Sequence, residues 1–239
     1  MDINWKRKIE LFKKNHKHLP IPDKSGFRMA VYAPSFSGKS FMINDLLTNP
    51  EYGYNKVFKP SQIFIMSPTY KNDDSYKDLK KMMKDNPQNI IDNYNEDFIN
   101  SILDFQHQKL KENKCRPVLL IIDDLITSIK STRQGKLVDL FIKGRHHKVN
   151  IIITSQKYKL VPSSIRVNSS ANIYFTNNMN KKELDDIAYE SSDDYFKPLA
   201  ENLRKDYFQY DFIYCNMKKP YNEKYYKNFN KKFNIKLEE

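Results

Sequence analysis

Glycine is scarce in this chain, with five in 239 residues, and so are cysteine, with two, and tryptophan, with one. Little glycine and eleven prolines exclude a collagen-like or low-complexity chain, and a 13% aromatic share excludes disorder. The two cysteines, Cys115 and Cys215, lie far apart and match no disulfide framework or zinc-ligand spacing, which suits a reducing, intracellular setting. No apolar run approaches the roughly 20 residues that span a bilayer. The charged opening Met1 to Glu10 lacks the pattern of a signal peptide. Acidic residues are short as well: 29 Asp+Glu stand against 41 Lys+Arg, a net charge of +12. That excess suits either a polyanion-binding surface or a lysine-rich solubility coat. Arginine accounts for only seven of the cations, so each arginine is a candidate for bidentate phosphate contact. The length fits one α/β domain with a substantial core.

The apolar run Met29-Ala30-Val31-Tyr32 leads into Ala33-Pro34-Ser35-Phe36-Ser37-Gly38-Lys39-Ser40. The octet has the P-loop spacing G-x-x-x-x-G-K-[ST], with Ala33 in place of the first glycine. The alternative is a serine-rich turn that happens to contain Gly-Lys-Ser. The surroundings favour the P-loop: Phe27 to Tyr32 reads as a strand and Phe41 to Leu47 as an amphipathic helix start. In such a loop the backbone of Ser35, Phe36, Ser37, Gly38, Lys39, Ser40 and Phe41 cradles phosphates. Lys39 reaches the β- and γ-phosphates, and the Ser40 hydroxyl ligates Mg²⁺. The expected ligands are ATP and Mg²⁺.

Further buried strands are expected at Gln62 to Ser67, Val118 to Ile122, Val149 to Thr154 and Ala171 to Thr176. Helices are expected at Trp5 to Phe12, Tyr76 to Lys84, Glu96 to Lys111, Gly135 to His146, Lys181 to Tyr189 and Asp193 to Arg204. A hairpin strand follows at Tyr207 to Tyr214, and the lysine- and tyrosine-rich stretch from Met217 reads as a loosely ordered tail. Alternating strands and helices imply βαβ units around a mainly parallel sheet. The organisation expected is a basic arm at 1–25, an ATPase core at 26–178, and a helical and hairpin extension at 179–239.

The strand Val118 to Ile122 ends in Asp123-Asp124, the Walker B arrangement. Asp123 would hold the Mg²⁺ shell through water, and Asp124 would orient and deprotonate the attacking water. Gln156 follows the strand Val149 to Thr154, where a polar side chain at a strand's carboxyl end faces the ligand crevice. It reads as a sensor of the γ-phosphate or as an ordinary polar loop residue. The adjacent His146 and His147 point apart and read as surface or packing residues rather than metal ligands.

The order of P-loop, Asp-Asp strand end, Gly144-Arg145-His146-His147-Lys148-Val149-Asn150 and Thr154-Ser155-Gln156 resembles the FtsK–HerA superfamily of DNA-pumping ATPases. It is particularly similar to the genome-packaging ATPases of large DNA viruses and virophages, over roughly Phe27 to Thr176. The resemblance implies an additional-strand P-loop fold of the RecA/FtsK-like type, with the sensor strand between the Walker A and Walker B strands. It implies a ring of this chain, usually hexameric, threading double-stranded DNA without reading its sequence, with viral capsid proteins as partners. A host cytoplasm or viral factory is the location it suggests, with virion association as an option. The family's arginine finger maps onto Arg145, whose charge would also suit a helix C-terminus, and Arg166 is the competing finger. The other readings are a small nucleoside or nucleotide kinase, which would want an arginine-rich lid, and a nucleotide-gated binding protein, against which Asp124 argues.

Overall fold

The computed structural model describes residues 9–13, 26–125, 135–191, 194–205 and 210–235. Its strands are β1 (Ile9–Lys13), β2 (Arg28–Tyr32), β3 (Ile63–Met66), β4 (Ile90–Ile91), β5 (Val118–Ile122), β6 (Val149–Ser155), β7 (Ala171–Tyr174), β8 (Ile213–Asn216), β9 (Tyr225–Lys227) and β10 (Lys231–Ile235). All ten join one sheet in the order β1-β10-β9-β8-β7-β2-β6-β5-β3-β4. From β7 to β4 the neighbours run parallel, and from β7 back to β1 they run antiparallel. β6, the strand expected to carry the sensor, lies between β2 and β5, as expected for an additional-strand P-loop fold.

The helices are α1 (Lys39–Thr48), α2 (Tyr54–Val57), α3 (Lys77–Met83), α4 (Glu96–Lys111), α5 (Lys136–Lys143), α6 (Ser163–Asn168), α7 (Lys181–Ser191) and α8 (Phe196–Lys205). They cover both faces of the sheet, which is why β5 and β6 are buried along their whole length, β5 with apolar residues throughout and β6 around the apolar run Ile151 to Ile153. Alternation along β2 separates two cores. Met29 and Val31 join Met42, Ile43 and Leu46 of α1 and Leu79 of α3. Ala30 and Tyr32 join Ile99 of α4, Leu137 and Phe141 of α5, and Leu184 of α7.

Three local expectations are corrected. Ile9–Lys13 is not helical but a strand, paired antiparallel with Lys231–Ile235 more than two hundred residues away. The stretch from Met217 is ordered into β9 and β10, with Tyr225, Phe229 and Phe233 buried. The hairpin strand expected at Tyr207 to Tyr214 falls instead at Ile213–Asn216; residues 206–209 lie outside the described residues.

Candidate nucleotide site

Parallel register brings the three motifs to one edge. Tyr32 pairs with Ser155, and Ile122 with Ile153, so the P-loop, Asp123-Asp124 and Gln156 all leave the sheet at its carboxyl edge. Ala33 continues the ladder, its N–H donating to Ser155 O at 2.9 Å. Its φ is not positive, so the missing first glycine asks nothing of the backbone that alanine cannot supply. The left-handed positions are Phe36 (φ 63°) and Gly38 (φ 91°), the residue before α1. A side chain at Gly38 would be strained there and would put Cβ 2.7 Å from the Tyr210 ring.

Beside this loop lies a cleft of about 490 Å³. One wall is Ser35, Phe36, Gly38, Lys39 and Ser40; the facing wall is Pro68, Thr69, Asn72, Asp73 and Ser75, with Asp124 at the base. Lys39 Nζ lies 2.6 Å from Asp124 Oδ2. Asp124 has φ 54°, and its N–H donates to Thr154 Oγ1 at 2.9 Å. Its Oδ1 is buried without a hydrogen bond, an acceptor available to a ligand or a water.

Asp123 is fully buried below the cleft rather than in its lining. Thr154 Oγ1 donates to its Oδ1 at 2.7 Å, while Tyr76 OH (2.9 Å) and Ser67 Oγ (3.2 Å) meet its Oδ2. Burial pushes the Asp123 carboxyl above its ordinary value, against the hydrogen bond from Thr154. Burial and the neighbouring Asp123 charge push the Tyr76 phenol up as well, so it stays a donor. Sequence reasoning missed Asp73. Burial opposes its ionisation, but the nearby Ser40 hydroxyl, the hydrogen bond from Ser75 and the Lys39 charge outweigh that and hold its carboxyl below the ordinary value. Nothing in the motif spacing marks it, because its segment follows a different strand.

The other expected residues lie outside the cleft lining. Ser37 is buried and hydrogen-bonded by Asn178 Nδ2 at 3.3 Å, and Phe41 is 60% exposed on α1; neither lines the cleft. Gln156 is exposed at the same sheet edge, directly after Ser155. Arg145 is exposed in the 3₁₀ turn Gly144–His147 that precedes β6, at the opposite edge. The seven residues of β6, at about 3.3 Å each, separate it from this chain's own P-loop by more than 20 Å. The same turn packs on the start of β2, where a Cβ on Gly26 would meet Arg145 Cα at 2.6 Å. Arg166, the competing finger, is tied down: its Nε and Nη2 bond both Glu190 oxygens (2.8 and 2.9 Å), and Nη1 donates to Val161 O.

Hard oxygen donors fit a small divalent cation, and the cleft offers the Ser40 hydroxyl, the Asp73 carboxylate and the spare Asp124 oxygen. Among the described residues no three His, Cys, Asp or Glu side chains gather as a metal cage. An ion here must take its remaining ligands from phosphate and water. No helix of the described residues is long and apolar enough to cross a membrane.

Comparison with known proteins agrees with this fold. The family model described as "Poxvirus A32 protein" matches residues 15–203. No curated protein matches the chain. Among solved structures, the chain is similar to B204, the DNA-packaging ATPase of Sulfolobus turreted icosahedral virus. That match has 18% identity and a TM-score of 0.58, over 90% of this chain and 100% of that one. The genome-packaging NTPase B204 of Sulfolobus turreted icosahedral virus 2 matches in its complex with ATP-gammaS (19% identity, TM-score 0.56, covering 90% and 98%). Its complex with AMP matches at 18% identity and TM-score 0.56, covering 82% and 94%.

Proposed function

Since the chain belongs to the poxvirus A32 protein family, we propose that it is an ATP hydrolase that drives double-stranded DNA into a viral capsid. The observation that carries this reading is the Lys39–Asp124 pair across a P-loop cleft, at the carboxyl edge of an additional-strand sheet. The cation and the carboxylate satisfy each other across the cleft. A triphosphate entering the P-loop draws Lys39 onto its β- and γ-oxygens and so releases Asp124. The freed carboxylate, oriented by the Thr154 bond to its backbone N–H, accepts the proton of the attacking water. Ser40 would hold Mg²⁺, with Asp123 behind it, and the ion would supply charge neutralisation at the phosphates. Asp123 anchors Thr154 and Tyr76 and so sets the floor of the site. Gln156 senses the γ-phosphate from the neighbouring strand end.

Arg145, too far to serve its own nucleotide, projects toward the nucleotide of an adjacent copy in a ring, which we take as a hexamer. DNA is gripped by its phosphates, without sequence readout. A groove of about 810 Å³ lined by Lys59, Lys109, Lys114 and Arg116 suits that contact. Phosphoryl transfer to a nucleotide acceptor is not favoured: Arg166 is held by Glu190, and Arg204 by the carbonyls of Thr176 and Met179, leaving no arginine lid among the described residues.

ATP hydrolysis with and without duplex DNA, across a salt series, tests the proposal. Stimulation at low salt that fades as salt rises is expected. Asp124→Asn is expected to bind ATP yet lose at least about 100-fold in kcat. No stimulation at low salt sinks the motor, and full activity in Asp124→Asn sinks the assigned base.

A further inference from the structure

We propose that Tyr210 is the platform on which the base of the bound nucleotide stacks, an aromatic ring set against the P-loop by the segment that leads into β8. The inference rests on the nucleotide-binding reading above and adds to it the residue that holds the nucleoside end. Tyr210 lies beyond the residues 15–203 that the family model matches, and no P-loop motif reaches it.

The contact between ring and loop is direct. A Cβ on Gly38 would meet Tyr210 Cδ1 at 2.7 Å and Cγ and Cε1 at 3.4 Å, so the ring occupies the space of a missing side chain. Gly38, at φ 91°, is the residue before α1. Despite this contact Tyr210 is 60% exposed. A ring with the phosphate loop on one side and solvent on the other has room for a second flat group.

Sheet order gives the direction. The strand that feeds the P-loop, β2, has β6 and β5 on one side and β7 and β8 on the other. Asp124 follows β5 and meets Lys39 from the first side. Tyr210 precedes β8, whose first residue, Ile213, pairs with Tyr174 at the carboxyl end of β7. A triphosphate lying along the P-loop with its γ end at Lys39 and Asp124 carries its nucleoside away from β5, toward β7 and β8, where Tyr210 stands. Stacking there suits any base, because every base has a π-face.

The mount of this ring is built to hold position. Lys227 Nζ lies 2.7 Å from Asp211 Oδ2, and Asn228 Nδ2 donates to Asp211 Oδ1 at 3.0 Å. Phe212 N donates to Asn228 Oδ1 at 3.1 Å, and Asn228 N donates back to Phe212 O at 2.9 Å. The Phe212 ring lies 5.2 Å from that of Phe175, directly after β7, and 5.0 Å from that of Phe229. The two residues after Tyr210 are thus tied by side chain and backbone, and a ring on such a support is a preorganised one.

The test is calorimetric titration of the full chain, with Mg²⁺ present, by AMPPNP and by inorganic tripolyphosphate, for wild type, Tyr210→Phe and Tyr210→Ala. Wild type is expected to bind AMPPNP more tightly than tripolyphosphate, which has no base. Tyr210→Ala is expected to lose about tenfold in affinity for AMPPNP and to bind tripolyphosphate as wild type does. Tyr210→Phe keeps the ring and is expected to match wild type with both. Equal losses for the two ligands in Tyr210→Ala assign the ring to shaping the P-loop and overturn the inference, as does wild-type AMPPNP affinity in that variant. A loss in Tyr210→Phe as large as in Tyr210→Ala assigns the effect to the hydroxyl, again overturning it. Wild type that binds both ligands with one affinity overturns it too, while leaving the P-loop reading standing. Wild type that binds neither removes the P-loop reading itself, and this inference with it.

Discussion

Asn150 shows how one buried polar side chain sets the site's frame. It is fully buried on β6, yet it lies between β2 and β5 and serves both. Its Oδ1 accepts from the N–H groups of Gly26 (2.9 Å) and Phe27 (3.0 Å), and its Nδ2 donates to Val118 O (3.0 Å). Removing it strands three buried backbone groups where no water can replace it. Asn150→Ala is expected to cost about 3 kcal/mol, read as a lower urea midpoint with unchanged slope. A loss within about 0.5 kcal/mol, the range of ordinary surface substitutions, would show that these groups find other partners. The position also joins the two ends of the mechanism, since the Gly26 that Asn150 holds is the residue on which Arg145 packs.

Among the elements, α6 and α7 are clamped by charge as well as by packing. Arg166 of α6 and Lys159 both bond Glu190 of α7, and the Arg166 guanidinium lies 4.8 Å from the Tyr158 ring centroid. Burial raises the Glu190 carboxyl, but the hydrogen bonds from Lys159 and Arg166 outweigh it and leave the group below its ordinary value. A carboxylate depressed on folding contributes stability that is complete above its unfolded value, about 4.3, and lost as pH falls through the folded one. Wild type should therefore melt above Glu190→Gln at pH 7, with the gap closing below about pH 4. A gap that stays constant with pH would assign it to shape rather than charge.

This clamp was not legible in the sequence, where Arg166 read as a possible finger. The Glu190 that holds it is twenty-four residues away, and no local pattern pairs them. The strands with continuous apolar runs were legible, as was α4, whose N-cap Asn95 accepts from Phe98 N at 3.0 Å. Charge hid the outer strands. In Lys231–Ile235 the buried Phe233 and Ile235 alternate with polar neighbours, a period-two signal masked by the surrounding lysines. At Ile9–Lys13 a helical spacing gave way to pairing with β10, a partner no window includes. Asp73 was hidden for the same reason: the cleft sets it opposite the P-loop only after α1 and α3 have packed.

At the scale of the whole molecule, the sheet carries opposite chemistry on its two edges. The nucleotide cleft is at the carboxyl edge, and Arg145 is at the amino edge beside Arg28, whose ionisation is disfavoured by burial and by the Arg145 charge. Among the described residues neither guanidinium is in an ion pair, and under the proposed function the triphosphate of another copy would neutralise them. Copies stacked edge to opposite edge make a heterologous contact, which repeats until it closes into a ring. The arrangement predicts a complementation that no single-chain mechanism gives. Under the proposed function Lys39→Ala lacks the phosphate cation and Arg145→Ala the finger, so each alone is expected to be nearly inactive. Mixed in equal amounts, they form some contacts in which an intact P-loop faces an intact Arg145. Random assembly makes about a quarter of all sites complete, so DNA-stimulated hydrolysis should return to roughly that fraction of wild type. Mixing that restores nothing, although each variant still assembles, would place Arg145 outside the reaction, as would full activity in Arg145→Ala alone.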